Sequence, residues 1–365
     1  MGRAHRHHFV PQFYLRLFSA DGRRVHLYNF SRDRLILGAS IKGQCARYNF
    51  HDFAPGLEEA FAKLEGEVNE IILKILETRV LPPPNSEERE TLGTYIVFQK
   101  LRTGRAASEV DATTDFIGKQ LLKESPELDG ADLDQFEIRD AYPIAIPLKV
   151  AAEVSWIVSD LRMHLFFNNT PREFITSDDP VIAHNQYCEG ITHLGVTGLN
   201  NRGLQLFWPI SPKHLVMLFD AVVYKVDRAD QQICTTTLSD ERDVVQLNSL
   251  QILNAHENVY FKEATPKIEQ HCAILGRERR KRYVFVEAEG PPEASGAPSR
   301  IVHQFERLLP HRLNVGAIRI RKDALRVPLA ERADYFRHEI GLHGATEVPR
   351  NAPAGRYQIK KITEK

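Results

Sequence analysis

The sequence predicts an α+β protein, with a mainly helical N-terminal half packed on a mixed or antiparallel sheet from the C-terminal half. Three observations carry this. Between Leu57 and Ile75 the apolar residues recur every three or four positions, which is a helical period. After Arg172 that pattern gives way to short apolar runs bounded by turn residues. The two kinds of element do not alternate as βαβ units, which argues against a doubly wound sheet.

The elements follow in order. Pro11 fixes its own φ and pushes Val10 toward extended geometry, so His7 to Val10 reads as extended and Gln12 to Phe18 as a short helix. Val25 to Phe30 and Arg34 to Leu37 read as strands joined by the turn Ser31-Arg32-Asp33. Leu57, Phe61, Leu64, Val68, Ile71 and Ile75 share one face of a helix that runs to about Val80, where Leu81-Pro82-Pro83-Pro84 stops it. Ser86 caps a second helix, with Glu87, Glu88 and Glu90 at its positive end, running through Leu101. Residues 124 to 140 carry seven acids and read as a loop. Beyond Pro143 and Pro147, the residues Ala151, Val154, Val158, Leu161 and Leu165 predict a third helix.

The second half brings a strand over Glu173 to Thr176, ending in the turn Ser177-Asp178-Asp179-Pro180. Further strands are expected over Leu204 to Trp208, Leu215 to Phe219, Val222 to Val226 and Tyr283 to Val286. A helix capped by Ser239 is expected to run to about Phe261. Three prolines and two glycines between Glu289 and Ser299 read as a linker. The expected organisation is one domain over 1–288, the linker 289–299 and a basic C-terminal extension over 300–365.

Bulk properties narrow the function. The chain has 365 residues, 42% of them hydrophobic, and zero formal net charge. Fourteen basic and seven acidic residues lie between Arg300 and Lys365, which leaves 34 basic against 41 acidic in the body. A basic appendage on an acidic body suits nucleic acid, and equally suits attraction between the two parts. Four widely spaced cysteines without a Cys-x-x-Cys pair make a structural zinc site unexpected and fit a reducing compartment. No signal-peptide core and no membrane-length apolar run is apparent, so a cytoplasmic protein without a membrane partner is expected. P-loop, nucleophile-elbow, His-Glu-x-x-His and dinucleotide fingerprints are absent from the sequence.

Two stretches stand out, His7-His8-Phe9-Val10-Pro11-Gln12-Phe13-Tyr14-Leu15 and Phe174-Ile175-Thr176-Ser177-Asp178-Asp179-Pro180-Val181. They resemble the His-His-Tyr-Val-Pro-x-x-Tyr-Leu and Phe-Ile-Thr-Ser-Asp-x-Pro-Val motifs of bacterial domain-of-unknown-function family 4238, with Phe9 where tyrosine is common. Leu64-Glu65 and Gln99 to Arg102-Thr103 extend the resemblance, which spans residues 7 to 262. It brings no established activity and implies a role in defence against phages.

The resulting candidate set is His7, His8, Glu65, Arg102, Ser177 and Asp178. Metal-assisted phosphodiester hydrolysis needs oxygen or imidazole ligands, a water and a cation for developing charge. His8, Glu65 and Asp178 could supply the ligands of a divalent metal ion and Arg102 the cation, while Ser177 activated by His8 is a second arrangement. Each residue also has a structural reading. One of the two histidines could be a hydrogen-bonded core residue, Glu65 a boundary residue beside its stripe, Arg102 and Arg105 surface ion pairs rather than a cationic fork for phosphate or carboxylate, and Asp178 the residue that folds its turn. The functional expectation is an anti-phage hydrolase acting on nucleic acid or nucleotides. The alternatives are a non-enzymatic sensor of a phage protein or other phage component, and a metabolic hydrolase.

Overall fold

The computed structural model describes residues 6–123, 132–192, 194–227, 234–279, 283–289 and 300–338. The chain opens with β1 (Arg6–His8), α1 (Gln12–Arg16), β2 (Arg24–Asn29), β3 (Arg34–Ser40) and β4 (Ala46–Tyr48). Four helices follow: α2 (Leu57–Thr78), α3 (Glu87–Leu101), α4 (Gly104–Lys123) and α5 (Ala145–Val154). Next come β5 (Arg162–Asn168), β6 (Thr176–Ser177), β7 (Ile182–His184), β8 (Gln205–Ser211), β9 (His214–Phe219), β10 (Tyr224–Val226) and β11 (Thr235–Leu238). The chain continues through α6 (Glu241–Asn254), β12 (Asn258–Phe261), α7 (Pro266–Gly276), β13 (Tyr283–Glu289), β14 (Arg300–Glu306) and β15 (Ile318–Ile320). The fold is α+β, with mixed and antiparallel sheets.

The central sheet has the order β11-β5-β9-β8-β7 and is antiparallel except for the parallel pair β11–β5. Both of its faces are covered. Leu165, Leu206, Trp208, Val216 and Leu218 face a core shared with α1, α2 and α3. Their neighbours Phe166, Phe207, Leu215, Met217 and Phe219 face a second core shared with α6. Strand alternation divides the two sets, and two-sided burial explains why β8 and β9 read as unbroken apolar runs. A second sheet, β3-β2-β12-β6, joins the N-terminal hairpin to two strands from the second half. The N-terminal half therefore contributes strands as well as helices.

Several expectations are met residue by residue. Ser86 caps α3 by accepting the Arg89 N–H. α2 buries Phe61, Val68, Ile71 and Ile75 of the stripe expected of it and Ile72 besides, while Leu57 and Leu64 are partly buried. Others are corrected. The run Ala151 to Leu165 is not one helix, because α5 ends at Val154, a 3₁₀ turn covers Ser155–Val158 and Leu165 lies in the middle of β5. Pairing of β5 with both β9 and β11 overrides the helical period there. α6 is capped by Asp240 rather than Ser239 and ends at Asn254, and Asn258–Phe261 form a strand. The strand expected over Glu173 to Thr176 is only Thr176–Ser177. α4 was not expected as a separate helix. Of the acidic loop, residues 124–131 lie outside the described residues, as do 290–299 of the expected linker and 339–365 of the expected extension.

Residues 304–338 do not stand apart from the body. Leu309, Leu313, Val315, Ala317, Ile318 and Ala324 are buried in the second core, and β15 pairs with β10. The Arg337 guanidinium pairs with Asp160 and donates to the Ile157 and Leu199 carbonyls. Among the described residues, no helix is long and apolar enough to cross a membrane. Truncation at Glu289 is expected to give insoluble or non-cooperatively folding protein, since it strips one side of the second core. Leu309→Ala alone should cost about 2–5 kcal/mol in a denaturant melt. A soluble truncation with an unchanged midpoint would show that the extension is dispensable.

Candidate functional site

The two distinctive stretches meet through one hydroxyl. Tyr14 of α1 donates to the Pro209 carbonyl at 2.6 Å and lies 2.7 Å from the Thr176 hydroxyl, and its ring stacks on Trp208. Gln99 of α3 donates to the Phe9 carbonyl at 3.0 Å. These contacts fix the N-terminal segment against the sheet and against α3.

Beyond that junction the two stretches do different work. Asp178 is buried, and its carboxylate accepts the backbone N–H groups of His256, Glu257 and Asn258 at 2.8, 2.8 and 3.0 Å. Burial pushes its carboxyl up to about 6, against the three N–H bonds, which favour the charged form. The Ser177 hydroxyl lies 2.7 Å from Gln251 Oε1 and 2.9 Å from the Asp179 carbonyl. Gln251 and Asn254 of α6 in turn donate to the Pro180 and Asp179 carbonyls, both at 2.8 Å. Ser177 and Asp178 thus bond to α6 and to the chain that follows it.

His7 and His8 point to opposite sides of β1, His7 buried and His8 part-exposed. Burial lowers the His8 pKa, opposed by its bond to the Lys42 backbone. His7 stacks on His51 with centroids 5.4 Å apart and planes 13° from parallel. Its Nδ1 accepts the His51 backbone N–H at 3.0 Å, so the ring proton sits on Nε2, 3.4 Å from Asp52 Oδ1. His51 Nδ1 lies 3.1 Å from Glu58 Oε2 in the first turn of α2. That bond holds Glu58 below the usual carboxylate range, while burial lowers the His51 pKa. An ionised Glu58 beside a neutral imidazole places the His51 proton on Nδ1 and the lone pair on Nε2. The Nε2 atom is buried, with no hydrogen-bond partner among the described residues.

Arg102 ends α3 behind this cluster. It is 1% exposed, donates to Glu65 Oε1 at 2.7 Å and lies over the Phe61 ring at 4.2 Å. Phe61 also contacts His51, with centroids 5.2 Å apart. Burial raises the Glu65 pKa, opposed by Arg102. Arg102 and Arg105 do not form a fork. Arg105, on the next helix, donates to Asp179 at 2.8 Å and to the carbonyls of Asn254 and Ala255. Nor are they surface ion pairs, because both are buried or nearly so.

Among the described residues, one group of three His, Cys, Asp or Glu side chains places its ligand atoms within 4.8 Å of one another: His7, His51 and Glu58. The expected ligands His8, Glu65 and Asp178 form no such group. Glu65 is tied to Arg102, Asp178 to three backbone amides, and His8 faces away from His7. His51 and Glu58 escaped the sequence reading because neither lies in a distinctive stretch. The available signal was Phe50-His51-Asp52-Phe53, a polar pair between aromatics, seven residues before an acidic helix start.

The model for proteins of unknown function DUF4238 matches residues 6–265. The chain belongs to that family. The family span takes in the whole cluster, both distinctive stretches and all of the central sheet, and ends before β13. No curated protein and no solved structure matches the chain.

Asp178→Asn replaces one of two acceptor oxygens by a donor that faces backbone N–H groups. It is expected to lower the unfolding free energy by about 1–3 kcal/mol for each amide left without an acceptor, read from a urea melt. An unchanged midpoint would show that the three amides do not depend on the carboxylate.

Proposed function

We propose that the protein is a metal-dependent hydrolase acting on nucleic acid or nucleotides in bacterial defence against phages, with its reacting centre at the His7–His51–Glu58 cluster. The observation that carries this reading is the convergence of two imidazole–carboxylate pairs, His7 with Asp52 and His51 with Glu58, beside the buried cation Arg102. The imidazoles are buried while Glu58 and Asp52 are 54% and 40% exposed, so the centre has a fixed interior and an open edge. Such a centre can hold an ion and a water at the edge and place positive charge behind it. The surface groove between α2 and α3 is a poorer candidate, because Glu67, Glu70, Glu87 and Glu88 line it and would repel phosphate.

A second reading, a non-enzymatic sensor of a phage component, is favoured by the internal bonding of Ser177 and Asp178. That bonding leaves one of the two distinctive stretches without spare chemistry.

Glu58→Gln keeps the side-chain size and removes its charge at a half-exposed position. Cells carrying it are expected to lose phage protection, and purified protein to lose at least about 100-fold in phosphodiester or nucleotide hydrolysis, with an unchanged melting temperature. Full protection by folded Glu58→Gln and His51→Gln variants would eliminate the enzymatic reading and leave the sensor.

A further inference from the structure

We propose that His7, His51 and Glu58 bind one first-row divalent transition metal of the zinc class, with Asp52 orienting His7 from outside the coordination sphere. The proposal rests on the hydrolytic reading for the use of the ion, but its own test is metal binding.

Two imidazoles and one carboxylate are the donors of a borderline ion. Magnesium and calcium take oxygen ligands and would not select two ring nitrogens. Three protein ligands also leave a position for water, as catalytic zinc requires. Ligand bonds of about 2.0–2.2 Å place two ligands of one ion roughly 3–4 Å apart. His51 Nδ1 and Glu58 Oε2 already stand at 3.1 Å, and the whole group lies within 4.8 Å.

The hydrogen bonds decide which nitrogen of His7 binds, and the closeness of Nδ1 to Glu58 decides it for His51. His7 carries its proton on Nε2, toward Asp52, so its lone pair is on Nδ1. Ligation through Nδ1 keeps the Nε2–H facing Asp52, the carboxylate–histidine arrangement that commonly supports a metal-bound imidazole. The ion then takes the place of the His51 backbone N–H at His7 Nδ1. His51 binds through Nδ1, and its proton transfers from Nδ1 to Nε2, so no proton leaves the protein. The ion replaces that Nδ1–H as the partner of Glu58. Metal binding is thereby coupled to the backbone at His51 and, through His7, to the pairing of β1 with β4.

The test uses the full chain, stripped with a chelator and titrated with Zn²⁺ by calorimetry, with metal content measured after desalting. The expected result is one Zn²⁺ per chain. Glu58→Gln should weaken binding at least about 100-fold and Asp52→Asn about 10–100-fold, with Glu70→Gln, on the exposed face of α2, unchanged. The His51 amide should show the largest shift and faster hydrogen exchange on Zn²⁺ addition, because it loses its acceptor. A purely structural cluster would not produce that change. Absence of stoichiometric Zn²⁺, or equal affinity in Glu58→Gln, overturns the site. Absent Zn²⁺ together with hydrolysis by the stripped protein overturns the site while sparing a hydrolase. Stoichiometric Zn²⁺ with no hydrolysis by reloaded protein upholds the site and removes the hydrolase.

Discussion

One carboxylate sets the geometry on which the rest of the molecule depends. Where α6 ends, its last carbonyls and the amides that follow have no helical partners, and a buried chain end with such orphans is costly. Asp178 takes the amides of His256, Glu257 and Asn258, while its own N–H donates to the Asn258 carbonyl. The carbonyls of Asn254, Ala255 and His256 go to the guanidinium groups of Arg105 and Arg279. Anion and cations thus divide the acceptor and donor needs of a five-residue segment between them. The result is a sharp change of direction from α6 into β12, and β12 is the strand that joins β2 to β6.

The N-terminal cluster depends on this arrangement through a short chain of contacts. β6 is held beside β12, Thr176 of β6 meets Tyr14, and α1 follows directly on β1. β1 pairs with β4, and the loop after β4 brings His51 under the His7 ring. α3 closes the other side. Its end at Arg102 sends one arginine to Glu65 near the imidazoles, while Arg105 at the start of α4 reaches Asp179 and the end of α6. The break between α3 and α4 therefore serves both places. Its necessity explains why two arginines three residues apart do not act together.

The sequence was informative where a period or a cap controlled the outcome. The α2 stripe, the Ser86 cap and the hairpin β2–β3 were readable because local pattern and tertiary burial agree there. The run ending at Leu165 misled because a three–four step also fits a strand that is buried on both faces, where every residue is apolar. The extension beyond residue 300 looked separable by charge and by its proline-rich approach, yet Leu309, Leu313 and Ile318 carry the burial. Of the His7–His51–Glu58 cluster, the two distinctive stretches contain His7 alone. They could not show that Asp178 would be consumed by backbone amides, nor that His51 and Glu58 would meet His7, because both facts are long-range pairings.

The most direct measurement of the central constraint is native-state hydrogen exchange at the amides of His256, Glu257 and Asn258. If the Asp178 carboxylate is the clamp on which β12 and the N-terminal segment depend, these three amides exchange only through global unfolding, with the same protection as the middle of β9. Exchange of the three amides at the rate of an exposed loop, while β9 stays protected, would contradict the account.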